Sequence, residues 1–242
     1  MPALLVHGNP DTSALWDGVR EHLGGGDDVV ALDLPGFAHP APDGFGCTKE
    51  EYVDWIIARA EDLGGEVDLV GHDWGSLMVQ RVVSVRPDLF NTVACGGAVV
   101  DVGYEWHPLA QIWQTPGEGE RYMAEELTDQ FGIEHLVENG VPQEYAERNM
   151  WLTPHGKQTI LDLYRSAVYI GREWQPDLER VEVPAMVIWG RTDPYVPLEW
   201  AERLADRMSA ELVVLECGHW WPYESPRETA EALTRLWAKA HA

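Results

Sequence analysis

Residues 67–79, Val-Asp-Leu-Val-Gly-His-Asp-Trp-Gly-Ser-Leu-Met-Val, constrain this chain more than any other stretch. A short apolar run of strand length stops at Gly71, and Gly75 opens a segment with helical spacing. Small residues two positions either side of a polar one mark a sharp turn from a buried parallel strand into a helix, with the polar side chain at the tip. The glycines suit that turn because the backbones crowd there and a Cβ would clash. The tip is Asp73. A serine there would form an acyl-enzyme, whereas a carboxylate displaces a leaving group from sp³ carbon and is itself left esterified. A plain Gly-Asp turn between strand and helix is the bland alternative.

The remaining segments supply the context. Residues 3–6, 29–32, 93–100, 184–190 and 212–215 have the length and apolar content of buried strands. Helices fall between them. Asp11 and Thr12 can cap one that carries Leu15, Trp16, Val19 and Leu23 on one face. Thr48 and Glu51 form a capping box for the next, and Ser225, Pro226 and Glu228 start the last. Strands alternating with helices demand a mostly parallel sheet covered on both faces, with ligand sites at the carboxyl ends of the strands. Asn9, Asp73, Asp193 and His219 each follow a different strand, so four loops are expected to converge on one edge. Between residues 102 and 182 the rhythm changes: Trp106, Trp113, Trp151 and Trp174 stand among helical segments broken by Pro and Gly. This reads as a helical cap inserted into a core made of residues 1–101 and 183–242.

Composition bounds the function. The net charge of -24 argues against nucleic acid and against anionic membrane surfaces. No stretch approaches the ~18 apolar residues of a membrane span. Met1 leads within a few residues into a strand, so no signal peptide is expected. Cys47, Cys95 and Cys217 are odd in number and scattered, which suggests reduced thiols and a cytoplasmic setting. With no HExxH, no Cys-x-x-Cys and no Gly-rich phosphate loop, neither a metal nor a cofactor is implied. A monomer or a homodimer fits equally.

The motifs resemble a known family. His7-Gly8-Asn9-Pro10 looks like the HGxP oxyanion loop of the α/β-hydrolase fold, and the order Asp73, Asp193, His219 matches that fold's nucleophile, acid and histidine. Gly71-His72-Asp73-Trp74-Gly75-Ser76 resembles the Asp-nucleophile branch that holds haloalkane dehalogenases, epoxide hydrolases and haloacetate dehalogenases. The likeness covers the whole chain and is strongest at 3–37, 67–80 and 185–226. It departs by lacking the two strands usual before the HGxP strand, so a sheet of about six strands is expected, with the cap after the sixth strand of the family pattern. Asp73 would attack carbon, and His219 would then deprotonate a water that attacks the resulting ester. Asp193 would hold the imidazole tautomer, with Asp101 as its rival. The backbone N–H groups of Asn9 and Trp74 would stabilise the oxyanion, at roughly 3–4 kcal/mol per donor in comparable sites.

The leaving group divides the readings. The Trp74 indole N–H and the Asn9 amide match positions that hold halide in haloalkane dehalogenases. Haloacetate dehalogenases usually have Arg where this chain has Trp74, which disfavours that branch. An epoxide needs an acid, normally two cap tyrosines; residues 161–165 resemble the segment carrying one, Tyr164, but Leu109 stands where the other is expected. Tyr104 is a possible substitute at a different spacing. The bland alternative for Tyr164 is a core aromatic on a helix with Leu161 and Val168. Trp106, Trp113, Met150, Trp151 and Trp220 are candidates, with Leu109, to line an apolar pocket for a small neutral substrate. Dehalogenation ranks first, epoxide opening second, and a ligand-binding protein that has kept the triad third.

Overall fold

The computed structural model describes residues 2–26, 28–149, 153–179 and 181–241. In chain order the elements are β1 (Ala3–Val6), a 3₁₀ turn (Ser13–Trp16) running into α1 (Asp17–His22), β2 (Val29–Leu32), α2 (Lys49–Asp62), β3 (Val67–His72), α3 (Trp74–Val85) and β4 (Phe90–Gly96). Among the described residues six helices follow before the next strand: α4 (Pro108–Gln114), α5 (Glu118–Glu125), α6 (Asp129–Glu138), α7 (Gln143–Asn149), α8 (Pro154–Ser166) and α9 (Ile170–Leu178). The chain then closes with β5 (Ala185–Gly190), α10 (Leu198–Met208), β6 (Glu211–Leu215), α11 (Trp221–Glu224) and α12 (Pro226–Ala240).

The six strands form one sheet in the order β2-β1-β3-β4-β5-β6, and every pairing is parallel. Alternation along the strands sorts the core into two layers. Leu4, Val6, Leu69, Val187 and Trp189 join one cluster with α2, α3 and α10, while Leu5, Val70, Met186 and Ile188 join another with α1 and α12. Helices on both faces are what a wholly parallel sheet requires, because its strands have no solvent side. The strand order reverses beside β1 and β3, so the loops after these two strands diverge and leave a crevice between them.

β4 departs from the expected 93–100. It runs from Phe90 to Gly96 and stops where Gly97 adopts φ +83°, so residues 98–101 leave the sheet. Gly96 fixes that end: a Cβ there would sit 1.7 Å from the carbonyl oxygen of Ile188 on β5. Asp101 is therefore not at a strand end.

Local chemistry sets the helices between β4 and β5. Thr153 caps α8 by accepting from the Gly156 N–H at 3.1 Å, ahead of Pro154 in the first turn. Thr128 does the same for α6, at 3.2 Å from the Phe131 N–H. This helical layer is tied to the core by Lys49, whose buried ammonium pairs with Glu173 of α9 at 2.9 Å. Among the described residues no helix is long and apolar enough to cross a membrane.

Candidate active site

The turn at residues 71–75 is as tight as the sequence requires. A Cβ on Gly75 would lie 2.3 Å from the Val6 carbonyl oxygen, and one on Gly71 2.4 Å from that of Gly75. β3, α3 and β1 can only approach so closely without those side chains. Asp73 itself has φ 53° and ψ −120°, a region that non-glycine residues rarely occupy. Its own N–H donates to the Gly96 carbonyl at 2.9 Å, which helps to hold the strained turn.

Three further loops meet it. The loop after β1 is fixed by buried His7, whose Nε2 accepts from the Leu34 N–H at 3.0 Å while Nδ1–H donates to the Gly8 carbonyl at 2.8 Å. Burial drives this imidazole down to about 4, so it is neutral and can do both. That fixed loop presents the Asn9 backbone N–H, which donates to Asp73 Oδ1 at 2.7 Å. His219, in the loop after β6, places Nε2 3.7 Å from Asp73 Oδ2. Its Nδ1 lies 2.8 Å from Asp193 Oδ2, in the loop after β5. Asp193 is fixed in turn, since its Oδ1 accepts the N–H groups of Tyr195 at 2.8 Å and Val196 at 3.0 Å. Asp73, His219 and Asp193 thus form one line.

Burial works against protonating His219, but Asp193 and then Asp73 outweigh it and carry the imidazole up to about 10. Burial likewise works against an ionised Asp73; hydrogen bonding and charge from His219, helped by the Asn9 N–H, prevail and hold the carboxyl below its usual range. Asp101 is committed elsewhere. Its carboxylate accepts from Arg203 at 3.0 Å, from the Gly103 N–H at 2.7 Å and from Arg207 of α10. Asp193, not its rival, holds the histidine.

A cavity opens over Asp73, and Asn9, Trp74, Tyr164, Trp106, Leu109, Trp113 and Trp220 all line it. Trp151 and Met150, expected there too, lie outside the described residues. The walls are aromatic: Trp74 stacks on Trp106 at 5.5 Å, and Tyr164 meets the rings of Trp74 and Trp113 edge-on at 4.8 Å each. Tyr164 is both a core aromatic and a lining residue. Burial pushes its phenol well above the usual range, the charge on Asp73 adds to this, and hydrogen bonding from the Trp74 and Asn9 side chains opposes it. The two side chains read as a halide pair therefore sit in the same corner as the tyrosine hydroxyl. Tyr104 lines the cavity as well.

The sequence reading passed over several groups. Asp11 is not a helix cap but a buried carboxyl, 2% exposed, that accepts from the Trp220 indole N–H at 3.2 Å. Beside it His72 donates Nε2–H to the His219 carbonyl at 2.9 Å, with Nδ1 3.9 Å from Asp11 Oδ2. Burial, and then the charge of Asp73, raise Asp11 to about 7. His107, His135 and Tyr195 also line the cavity. Tyr195 carried a usable signal, standing two residues after Asp193 in a loop that had to reach the site.

Residues 3–232 match the Alpha/beta hydrolase family. The chain belongs to that family. Over 96% of its length, and 82% of the relative's, it is 23% identical to a 2-hydroxy-6-oxo-6-(2'-aminophenyl)hexa-2,4-dienoic acid hydrolase of Metapseudomonas resinovorans. A haloalkane dehalogenase of Sphingobium indicum is 38% identical over 85 residues, 32% of this chain and 28% of that one. The structure of a thermophilic esterase from Thermogutta terrifontis superposes with a TM-score of 0.81 at 22% identity, covering 100% of this chain and 91% of the other. The relatives of this α/β hydrolase thus bear names of differing chemistry.

Proposed function

We propose that this α/β hydrolase works through an alkyl ester on Asp73, releasing halide from a small neutral haloalkane-like substrate. The observation that carries the reading is the division of labour between the two oxygens of Asp73. Oδ1 is held by the Asn9 N–H at 2.7 Å, while Oδ2 lies 3.7 Å from His219 Nε2, and Asp73 lines the cavity. Oδ2 attacks the carbon in line, the carbon–halogen bond breaks, and halide leaves with the bonding pair. Oδ1 becomes the ester carbonyl oxygen, already seated on an N–H donor that strengthens as negative charge develops on it. His219 Nε2 then takes a proton from water, the hydroxide attacks Cγ, and the tetrahedral intermediate expels the alkoxide. The alkoxide recovers the proton from His219, and the Asp73 carboxyl ionises. Asp193 keeps the imidazole oriented for the transfer. No metal or cofactor enters these steps.

The Trp74 and Asn9 side chains, both lining the cavity, supply N–H donors for the departing anion. The dehalogenase relative accords with this ranking. A second reading has its own support: the Tyr164 hydroxyl shares the corner of Trp74 and Asn9, where it could protonate the oxygen of an opening epoxide.

The test is intact-protein mass spectrometry of the His219→Ala variant after addition of 1-bromohexane or styrene oxide. Alkylation needs no base and hydrolysis does, so a stable adduct should accumulate on the peptide holding Asp73. An active wild type whose variant yields no adduct, or an adduct on Ser76, would remove Asp73 as nucleophile. Bromide and diol, measured separately, rank the leaving groups. Bromide release that survives Tyr164→Phe supports dehalogenation. Diol formation abolished by that variant, without bromide from the wild type, supports epoxide opening.

A further inference from the structure

His107 caps α4 through one ring nitrogen: Nδ1 accepts from the Ala110 N–H at 3.2 Å. Burial keeps the imidazole neutral by lowering it from its ordinary value, against the opposing charge of Asp73. A neutral ring that accepts at Nδ1 must carry its only N–H on Nε2. Among the described residues nothing accepts from that N–H, and the ring lines the cavity. An ionised aspartate would cap α4 equally well and carry no donor, and the hydroxyl of a serine or threonine cap ends close to the helix, short of where the imidazole Nε2 reaches. Beside it, with ring centroids 5.8 Å apart, stands Tyr195, whose hydroxyl is 2.6 Å from Nε2 of His135 on α6. Tyr195 also packs edge-on against His219 at 4.9 Å. The three come from the start of α4, from α6 and from the loop after β5, and all three line a cavity whose other walls are largely aromatic and aliphatic. Few polar groups at separate points of an apolar pocket are what fixes a ligand's orientation.

We infer that His107 and Tyr195 form a second polar subsite, which recognises a hydrogen-bond-accepting oxygen (a carbonyl, ether or hydroxyl) on the substrate away from the reacting carbon. The substrate is then an oxygen-bearing neutral molecule and not a bare hydrocarbon chain. His107 supplies the Nε2–H, and Tyr195 supplies its O–H from the neighbouring wall, with His135 as the Nε2–H tautomer donating to the phenol oxygen so that the hydroxyl proton is left for the substrate. This deepens the reading of Asp73 as nucleophile by naming the substrate class, and it rests on that reading only for the reaction.

The experiment is calorimetric binding of two non-reacting ligands of the same shape, 2-heptanone and 2-methyl-1-heptene, in which C=O is replaced by C=CH₂. Their ratio of dissociation constants cancels differences in general hydrophobic binding. His107→Ser keeps a capping oxygen for Ala110 but removes the long-reaching Nε2–H, its own short hydroxyl staying at the helix end, and it should move the ratio against the ketone by roughly 3–10-fold, the worth of one neutral hydrogen bond. Tyr195→Phe keeps the ring and should move it in the same direction. An unchanged ratio in His107→Ser, with both ligands still bound, overturns the subsite. So does failure of the ketone to bind wild type. Should Tyr195→Phe fold poorly, His107→Ser decides alone. A shifted ratio without any Asp73 adduct would keep the subsite and sink the chemistry; an adduct with an unshifted ratio would do the reverse.

Discussion

Esterification of Asp73 removes a charge 3.7 Å from His219, and Asp73→Asn removes the same charge while keeping the shape. At that separation, and at an effective dielectric constant of about 20, the attraction between imidazolium and carboxylate is on the order of 4–5 kcal/mol, or about 3 pKa units. His219 stands at about 10 in the free protein, where Asp193 and Asp73 both favour its charge. The substitution should therefore bring it to about 7, with Asp193 still in place. The sign suits the proposed reaction. The free protein holds an imidazolium beside the Asp73 carboxylate, and in the proposed alkyl-enzyme the loss of that charge would turn the imidazolium into a base near neutrality. NMR titration of the His219 ring in wild type and in Asp73→Asn measures both values. Under the same reasoning, single-turnover hydrolysis of the ester should quicken as pH rises through about 7. An imidazole that still titrates near 10 in Asp73→Asn would refute the argument, because Asp73 would then contribute little to its field.

Three more outcomes follow from the geometry. Asp193→Asn should keep the fold yet slow ester hydrolysis by up to about 10⁴-fold, since the amide favours the wrong tautomer of His219; stopped-flow kinetics of the second step is the check. Asp101→Asn should do the opposite. It leaves Arg207 short of its buried partner and should cost about 2 kcal/mol, a drop of roughly 4–8 °C in Tm by calorimetry, with turnover within a few-fold of wild type. For Asp11 the folded value lies above the unfolded one, so its stabilising contribution is complete below about 4 and is lost as pH rises through about 7. Asp11→Asn removes that loss, so the variant should gain on wild type by on the order of 2 kcal/mol between pH 5 and pH 8 in urea titrations.

The strands, their parallel arrangement and the turn at Asp73 were legible in the sequence because each is written locally. Apolar runs of strand length alternate with helical spacing, and the Gly71 and Gly75 pair marks the turn directly. What escaped depends on distant partners. The end of β4 is set by the carbonyl oxygen of Ile188, some ninety residues along the chain and on another strand. Asp101 resembled an acid after a strand, but Arg203 and Arg207, one helical turn apart on α10, take it. Asp11 had the local look of a helix cap, and the indole that claims it lies at Trp220. His107 gave no capping signal in the sequence, and both its cap on α4 and its second nitrogen gain meaning only when α4 is set over the sheet.

The same buried charges limit what the cavity can receive under the proposed reaction. Asp73 and Asp193 flank a single imidazolium at His219, so the three together carry one net negative charge. An anionic substrate would have to enter an aromatic cavity against that charge, and among the described residues the lining offers it no Lys or Arg. A neutral substrate meets no such opposition. Its leaving group becomes an anion only as the charge of Asp73 is consumed in the new ester, so the total charge of the site is unchanged through the first step. The burden then moves sideways, from the carboxylate to the corner where Trp74, Asn9 and Tyr164 meet. Weakening that corner should therefore slow alkylation and spare hydrolysis, while weakening the Asp193–His219 pair should do the reverse. With the two steps controlled by separate groups, the Asp73 adduct that accumulates in His219→Ala is a direct reading of the first.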